Sequence, residues 1–196
     1  MINTIIFASN NQNKVLEIRK VLQEIFEVIS LKEGGIEIDI PEPYDTLEEN
    51  ASTKSQTIFK LTDKNCFSED TGLFVEALNG EPGVKSARYA GDPSSNEANI
   101  QKLLLKLETF ENRKAHFRTV ISLILNGKEY QFEGICKGVI LDKKRGEQGF
   151  GYDAIFLPDG ATKSFGEMTM DEKSAFSHRK KAMNKLITFL SENTSE

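Results

Sequence analysis

The stretch FRTVISLILNGKEYQFEGICKGVIL, residues 117–141, constrains the fold more than any other part of this chain. Two runs rich in β-branched and aromatic residues flank Asn126-Gly127, a pair that accepts the positive φ angles of a type I′ turn. The pattern predicts a long β-hairpin.

Before the hairpin, strand and helix patterns alternate. NTIIFAS (3–9) reads as a buried strand. Val15, Ile18, Val21, Leu22, Ile25 and Phe26 then recur at the spacing of one helix face. IEIDI (36–40) alternates as a half-buried strand does. Residues 47–61 predict a helix with Leu47, Ala51, Ile58 and Leu61 inward, and Asn50 and Lys54 sharing another face. NCFSED is expected to be a strand whose C-terminal end delivers Glu69 and Asp70. Residues 95–108 predict a third helix carrying Ile100, Leu103, Leu104 and Leu107. After the hairpin, GFGYDAIFLPDG is a Gly-rich loop entering a short strand. A last helix, about 177–191, buries Met183, Leu186, Ile187 and Leu190 with Ser177 as N-cap. The expectation is a mixed α/β sheet with helices packed against it, one domain or two lobes sharing a core over 196 residues.

The net charge of -5 argues against a nucleic-acid surface, which carries a basic excess. A small anion remains admissible, because only local charge counts inside a cleft. Cys66 and Cys136 sit in apolar runs and read as free thiols of a reducing compartment. The opening MINTIIFASNN lacks a basic n-region, and VISLIL (120–125) is too short to span a bilayer. These features predict a soluble, cytoplasmic protein without membrane or nucleic-acid partners.

Three constellations carry chemistry. ASNNQNKVLE is a strand–loop–helix junction, where amide N–H groups and the helix dipole favour an anion; Ser9, Asn11 and Lys14 add donors and charge. Alone, it reads as an ordinary helix cap. Glu42, Glu48, Glu49, Glu69 and Asp70 are candidate magnesium ligands, since that ion prefers carboxylate oxygens and bridges to phosphates. Glu69 and Asp70 close an apolar run just before Thr71-Gly72, with Lys85 and Arg88 downstream as nearby cations. Arg179, beside His178 at a helix start, offers a fixed hydrogen-bond fork. His116 reads as structural.

Taken in order, SNNQNK, EENASTK, SEDTGLFVEALNGEPGVKSARYAG, GFGYDAIF and EKSAFSHRKKAM resemble the inosine/xanthosine triphosphate pyrophosphatase family, from residue 9 to about 183. The resemblance implies an elongated mixed sheet with flanking helices, forming two lobes around a central cleft, with residues 1–196 a single domain. It implies a homodimer and magnesium-dependent cleavage of a purine nucleoside triphosphate (ITP, dITP or XTP) to monophosphate and pyrophosphate. By motif, Ser9, Asn10, Asn11, Gln12, Asn13, Lys14 and Lys54 would hold phosphates. Glu42 and Asp70 would be metal-linked, with Asp70 also accepting the proton of the attacking water. Thr71 would touch substrate; Phe150, Gly151, Tyr152, Asp153, Lys173, His178 and Arg179 would line the base and sugar pocket. The chain has EDTG where the family has DDSG, Lys85 in place of a tyrosine, and Ala154 in place of a proline. Two other readings are a related house-cleaning pyrophosphatase for modified pyrimidine or other nucleotides and a nucleotide-binding module without turnover.

Overall fold

A strand buried on both faces must sit inside a sheet, and β1 (Asn3–Phe7) is such a strand. Ile5 and Phe7 point into one apolar cluster, Ile6 into another, the two-residue alternation of extended backbone. The computed structural model describes residues 3–22 and 26–193. α1 (Gln12–Leu22) follows, burying Val15, Ile18 and Leu22. β2 (Phe26–Ser30) then returns parallel to β1, in register from Asn3↔Phe26 to Phe7↔Ser30.

Two expectations are corrected here. Phe26 begins a strand rather than extending the helix face, and Ile25 lies outside the described residues. Residues 36–40 form no strand: Glu37, Ile38 and Asp39 are exposed. β1 is flanked by β2 and β3, and residues 36–40 make no ladder pairing with the sheet.

α2 (Leu47–Thr62) buries Leu47, Ala51 and Ile58, while Leu61, expected inward, is 60% exposed in the last turn. β3 (Cys66–Val75) pairs in parallel with β1 at Ile6↔Cys66 and Phe7↔Phe67, where the two rings stack at 4.9 Å. The strand does not end at Asp70 but runs five residues further. Gly72 makes that possible: a Cβ there would meet the Gly83 carbonyl oxygen at 2.6 Å, too close for the antiparallel pairing with β4 (Pro82–Gly83).

α3 (Asn96–Lys106) is capped by Ser95. The hairpin comprises β5 (Lys114–Leu125) and β6 (Lys128–Ile140), with Asn126 and Gly127 at φ of 51° and 79°. β7 (Phe156–Pro158) pairs antiparallel with β6, and α4 (Met170–Ser174) and α5 (His178–Asn193) complete the chain. The sheet has seven strands in the order β2-β1-β3-β5-β6-β7, with β4 on β3.

The chain divides into two compact units. The first holds residues up to Asp70, 119–134 and those from Arg179; the second holds 71–118 and 135–178. In the first, α1 and α5 cover Ile5, Phe7, Phe67, Ile121 and Leu123, while Ile58 of α2 packs on Ile6, Cys66 and Ile124. In the second, Leu73, Leu103, Leu107, Phe117, Phe156 and Phe165 form the core. Each such Leu, Ile or Phe contributes about 1.5–3 kcal/mol when fully buried. Among the described residues no helix is long and apolar enough to cross a membrane.

Candidate active site

In the first unit the cluster begins where β1 meets α1. Asn11 caps the helix, its Oδ1 accepting from the N–H groups of Asn13 (3.1 Å) and Lys14 (3.3 Å). Ser9 Oγ accepts from the Asn11 N–H at 3.2 Å, and Asn10 Oδ1 accepts from the Lys32 N–H at 2.9 Å. These side-chain oxygens thus hold the loop, and Gln12 and Asn13 stand exposed on the first turn. One turn in, Lys14 Nζ lies 3.0 Å from Glu69 Oε1.

Glu69 is 2% exposed, and two cations answer its charge. Arg179 grips it with Nε on Oε2 at 2.6 Å and Nη2 on Oε1 at 3.1 Å. Burial pushes its carboxyl up, but Arg179 and Lys14 more than offset this and hold it well below the usual carboxylate range. The same guanidinium bonds Glu17 through Nη1. Glu17 was missed in the sequence; its signal was its place three residues after Lys14, on the same helix face.

Lys54 carries the second charge cluster from α2. Its Nζ donates to the Glu69 carbonyl at 2.7 Å, is bonded to Glu42, and lies 3.5 Å from Asp70 Oδ1. Asn50, four residues earlier, donates to the Tyr44 carbonyl and accepts from the Tyr44 N–H, both at 3.0 Å, and so fixes the segment that follows Glu42. Asp70 behaves opposite to its neighbour. Burial raises its pKa, and Lys54 and Lys14 offset that only in part while Glu42 adds to it. One strand therefore presents a carboxylate locked in its charged form beside another made more basic.

The second unit holds a separate group. Lys173, on α4, is positioned by a Thr169–Glu172 capping box and lies 2.7 Å from Asp153 Oδ2. Both side chains are buried. The same oxygen accepts from the Phe150 N–H at 2.9 Å, and Lys173 Nζ sits 5.1 Å from the Phe150 ring centre. Gly149, at φ 77°, lets the loop wrap this carboxylate; a Cβ there would meet Asp153 Oδ2 at 2.1 Å. Phe150, Gly151 and Asp153 also border a cavity of about 320 Å³ with Asn96, Glu97 and Lys144.

Thr71 opens the second unit, half-buried on β3, and His178 closes it, 3% exposed and stacked on Phe117 at 4.7 Å. Tyr152 is placed differently from its motif neighbours. It lies in the core with its hydroxyl donating to the Ser86 carbonyl at 2.8 Å. Glu48 and Glu49 stand in the first turn of α2, with Glu49 accepting from the Thr46 hydroxyl at 2.6 Å. Arg88 is a surface residue paired with Asp92 at 3.2 Å, and His116 stacks on Phe74 at 5.2 Å.

Fold and charge clusters together define a mixed α/β protein that sets amines beside buried carboxylates. The Ham1 family model matches residues 5–189. A dITP/XTP pyrophosphatase of Flavobacterium psychrophilum is 48% identical over 185 residues, 94% of this chain and 97% of that protein. One from Flavobacterium johnsoniae is 47% identical over 186 residues, 95% and 97%. The solved Staphylococcus aureus Ham1 protein superposes with a TM-score of 0.89 at 41% identity, covering 97% of this chain and all of that one. The chain belongs to the Ham1 family.

Proposed function

We propose that this chain hydrolyses deaminated purine nucleoside triphosphates (inosine, deoxyinosine and xanthosine) to the monophosphate and pyrophosphate. The observation that carries the reading is the amine–carboxylate cluster of the first unit, joined to membership of a family with relatives named dITP/XTP pyrophosphatase. Phosphoryl chemistry depends on positioning and charge neutralisation rather than covalent catalysis. Lys14 and Lys54 supply the cations, and the N–H groups at the start of α1 add a partial positive charge for a phosphate tail.

The donor chemistry suits a hard divalent ion. Glu42 and Asp70 both lie on the Lys54 ammonium, so two carboxylates already converge on one positive charge. Among the described residues no group of three His, Cys, Asp or Glu side chains forms a full protein cage. The two converging carboxylates suit magnesium, which takes one or two carboxylates and completes its shell with waters and substrate phosphates. When bound, the ion would neutralise phosphate charge and polarise a phosphoryl oxygen. Glu42 and Asp70 would hold it.

Asp70 takes the proton from the attacking water. Its burial favours the protonated form, which makes the carboxylate a better acceptor. Glu69 does not compete for this role, because Arg179 and Lys14 hold it ionised. In the second unit, Phe150 stacks on the base and Lys173, fixed by Asp153, presents a donor toward the purine oxygen or sugar. Arg179 acts first on Glu69; contact with the base would require it to exchange one of its carboxylate partners. The protein acts as a homodimer.

The test is a substrate panel with magnesium: inosine, xanthosine, guanosine, adenosine and modified pyrimidine triphosphates. Pyrophosphate release led by inosine or xanthosine triphosphate is expected. Preference for a pyrimidine, or release of orthophosphate alone, would overturn the assignment; tight binding without turnover would favour a binding module.

A further inference from the structure

Glu129 stands at the start of β6, outside the site just described, with four donors around its carboxylate. Oε1 accepts from Ser122 Oγ at 2.7 Å and Gln131 Nε2 at 3.1 Å. Oε2 accepts from Ser52 Oγ at 3.0 Å and Gln56 Nε2 at 2.8 Å. Four neutral donors match the capacity of an ionised carboxylate, and among the described residues no cation joins them. Burial pushes its pKa up, but these bonds outweigh burial and hold the group ionised. Ser122 Oγ also pairs with Ser55 Oγ at 2.6 Å. Because ionised Glu129 only accepts, Ser122 gives it its single proton; Ser55 Oγ also donates to the Ser52 carbonyl at 3.0 Å, so its one proton is shared between that oxygen and Ser122.

Ser52, Ser55 and Gln56 all belong to α2, so this network staples the helix to the hairpin. Lys54 lies roughly 160° around the helix from Ser52 and Gln56, at about 3.6 residues per turn. It therefore faces away from the staple, toward the Glu69 carbonyl and Asp70. The helix is pinned on one face and presents its amine on the other.

We infer that Glu129 is a positioning residue for Lys54, fixing the rotation and height of α2 so that the amine meets a phosphate. The kinetic consequence rests on the function proposed above; the structural one does not. With Glu129→Ala, KM for inosine triphosphate rises about 5–10-fold while kcat stays within about twofold, the scale of coupling through a shared network. In a Lys54→Ala background the same change alters KM by less than about twofold, since its route of action is gone. Trace acetylation of Lys54, read by mass spectrometry without nucleotide, increases at least threefold in Glu129→Ala. Leu190→Ala, a core truncation in α5, lowers the melting temperature yet leaves that labelling at the wild-type level. Glu129→Gln, which keeps an acceptor for part of the network, falls between. Unchanged Lys54 labelling in Glu129→Ala, or an equal KM penalty with and without Lys54, would overturn the inference. A wild-type chain inactive on every nucleotide would sink the function proposed above, while the labelling would still decide this one.

Discussion

Replacing Glu69 with glutamine tests the electrostatic logic of the first unit. The carboxylate side chain is 0% exposed and lies 3.0 Å from Lys14 and 2.6 Å from Arg179. Glutamine keeps the shape but removes the charge, leaving two cations with less to answer them. Breaking a buried pair by neutralising one partner costs about 3–5 kcal/mol, because the remaining charge stays desolvated. Glu17 still faces Arg179, which places the expectation at the lower end. At about 2–4 °C per kcal/mol for a chain of this length, the melting temperature falls by roughly 6–12 °C at pH 7. Acid adds a second signature. Because the folded carboxyl titrates below its ordinary value of 4.5, its stabilisation is complete above that pH and is lost as pH falls toward the folded value. The gap between wild type and variant, followed by circular dichroism, therefore holds from pH 7 to about 5 and narrows below. A shift under about 2 °C at pH 7, or a gap constant into acid, would refute the reasoning.

Three further outcomes are expected. Phe150→Ala raises KM for inosine triphosphate by about tenfold with little change in kcat, as loss of one stacking platform costs ~1–3 kcal/mol; an unchanged KM would make the ring mere packing. Both cysteines are buried and burial pushes the Cys66 thiol up to about 12, so native protein at pH 8 reacts slowly with a thiol reagent and releases two equivalents in denaturant. Light scattering at micromolar concentration reports a mass twice that of one chain; a monomer that turns over normally would contradict the dimer.

The hairpin and the helices were legible because their signals are local. Asn126-Gly127 needs only its own φ angles, and the faces of α2 and α3 follow from residue spacing except at Leu61, in the exposed last turn of α2. The second strand was not. FEVIS continues the helical spacing of α1 at Phe26, whereas IEIDI alternates well, and only the identity of β1's partners decides between them. Glu69 and Asp70 were legible as an adjacent acidic pair but not as mid-strand residues, since Glu69 is answered there by Arg179, more than a hundred residues away, and Asp70 by Lys54 of another element. The contrast between a charge-locked Glu69 and a basic Asp70 is likewise invisible without those partners. The Glu129 staple was missed for the same reason: its four donors come from α2, β5 and β6, and no short motif joins them.

The central claim is that Asp70 readies a water to attack the triphosphate, and Asp70→Asn tests it most directly. Asparagine keeps the volume and removes the proton acceptor. Pyrophosphate release from inosine triphosphate is measured with magnesium, and nucleotide affinity by calorimetry on the same preparation. Turnover should fall by roughly 10²–10⁴-fold, with binding within severalfold of wild type. Near-normal turnover in the asparagine variant would contradict the account.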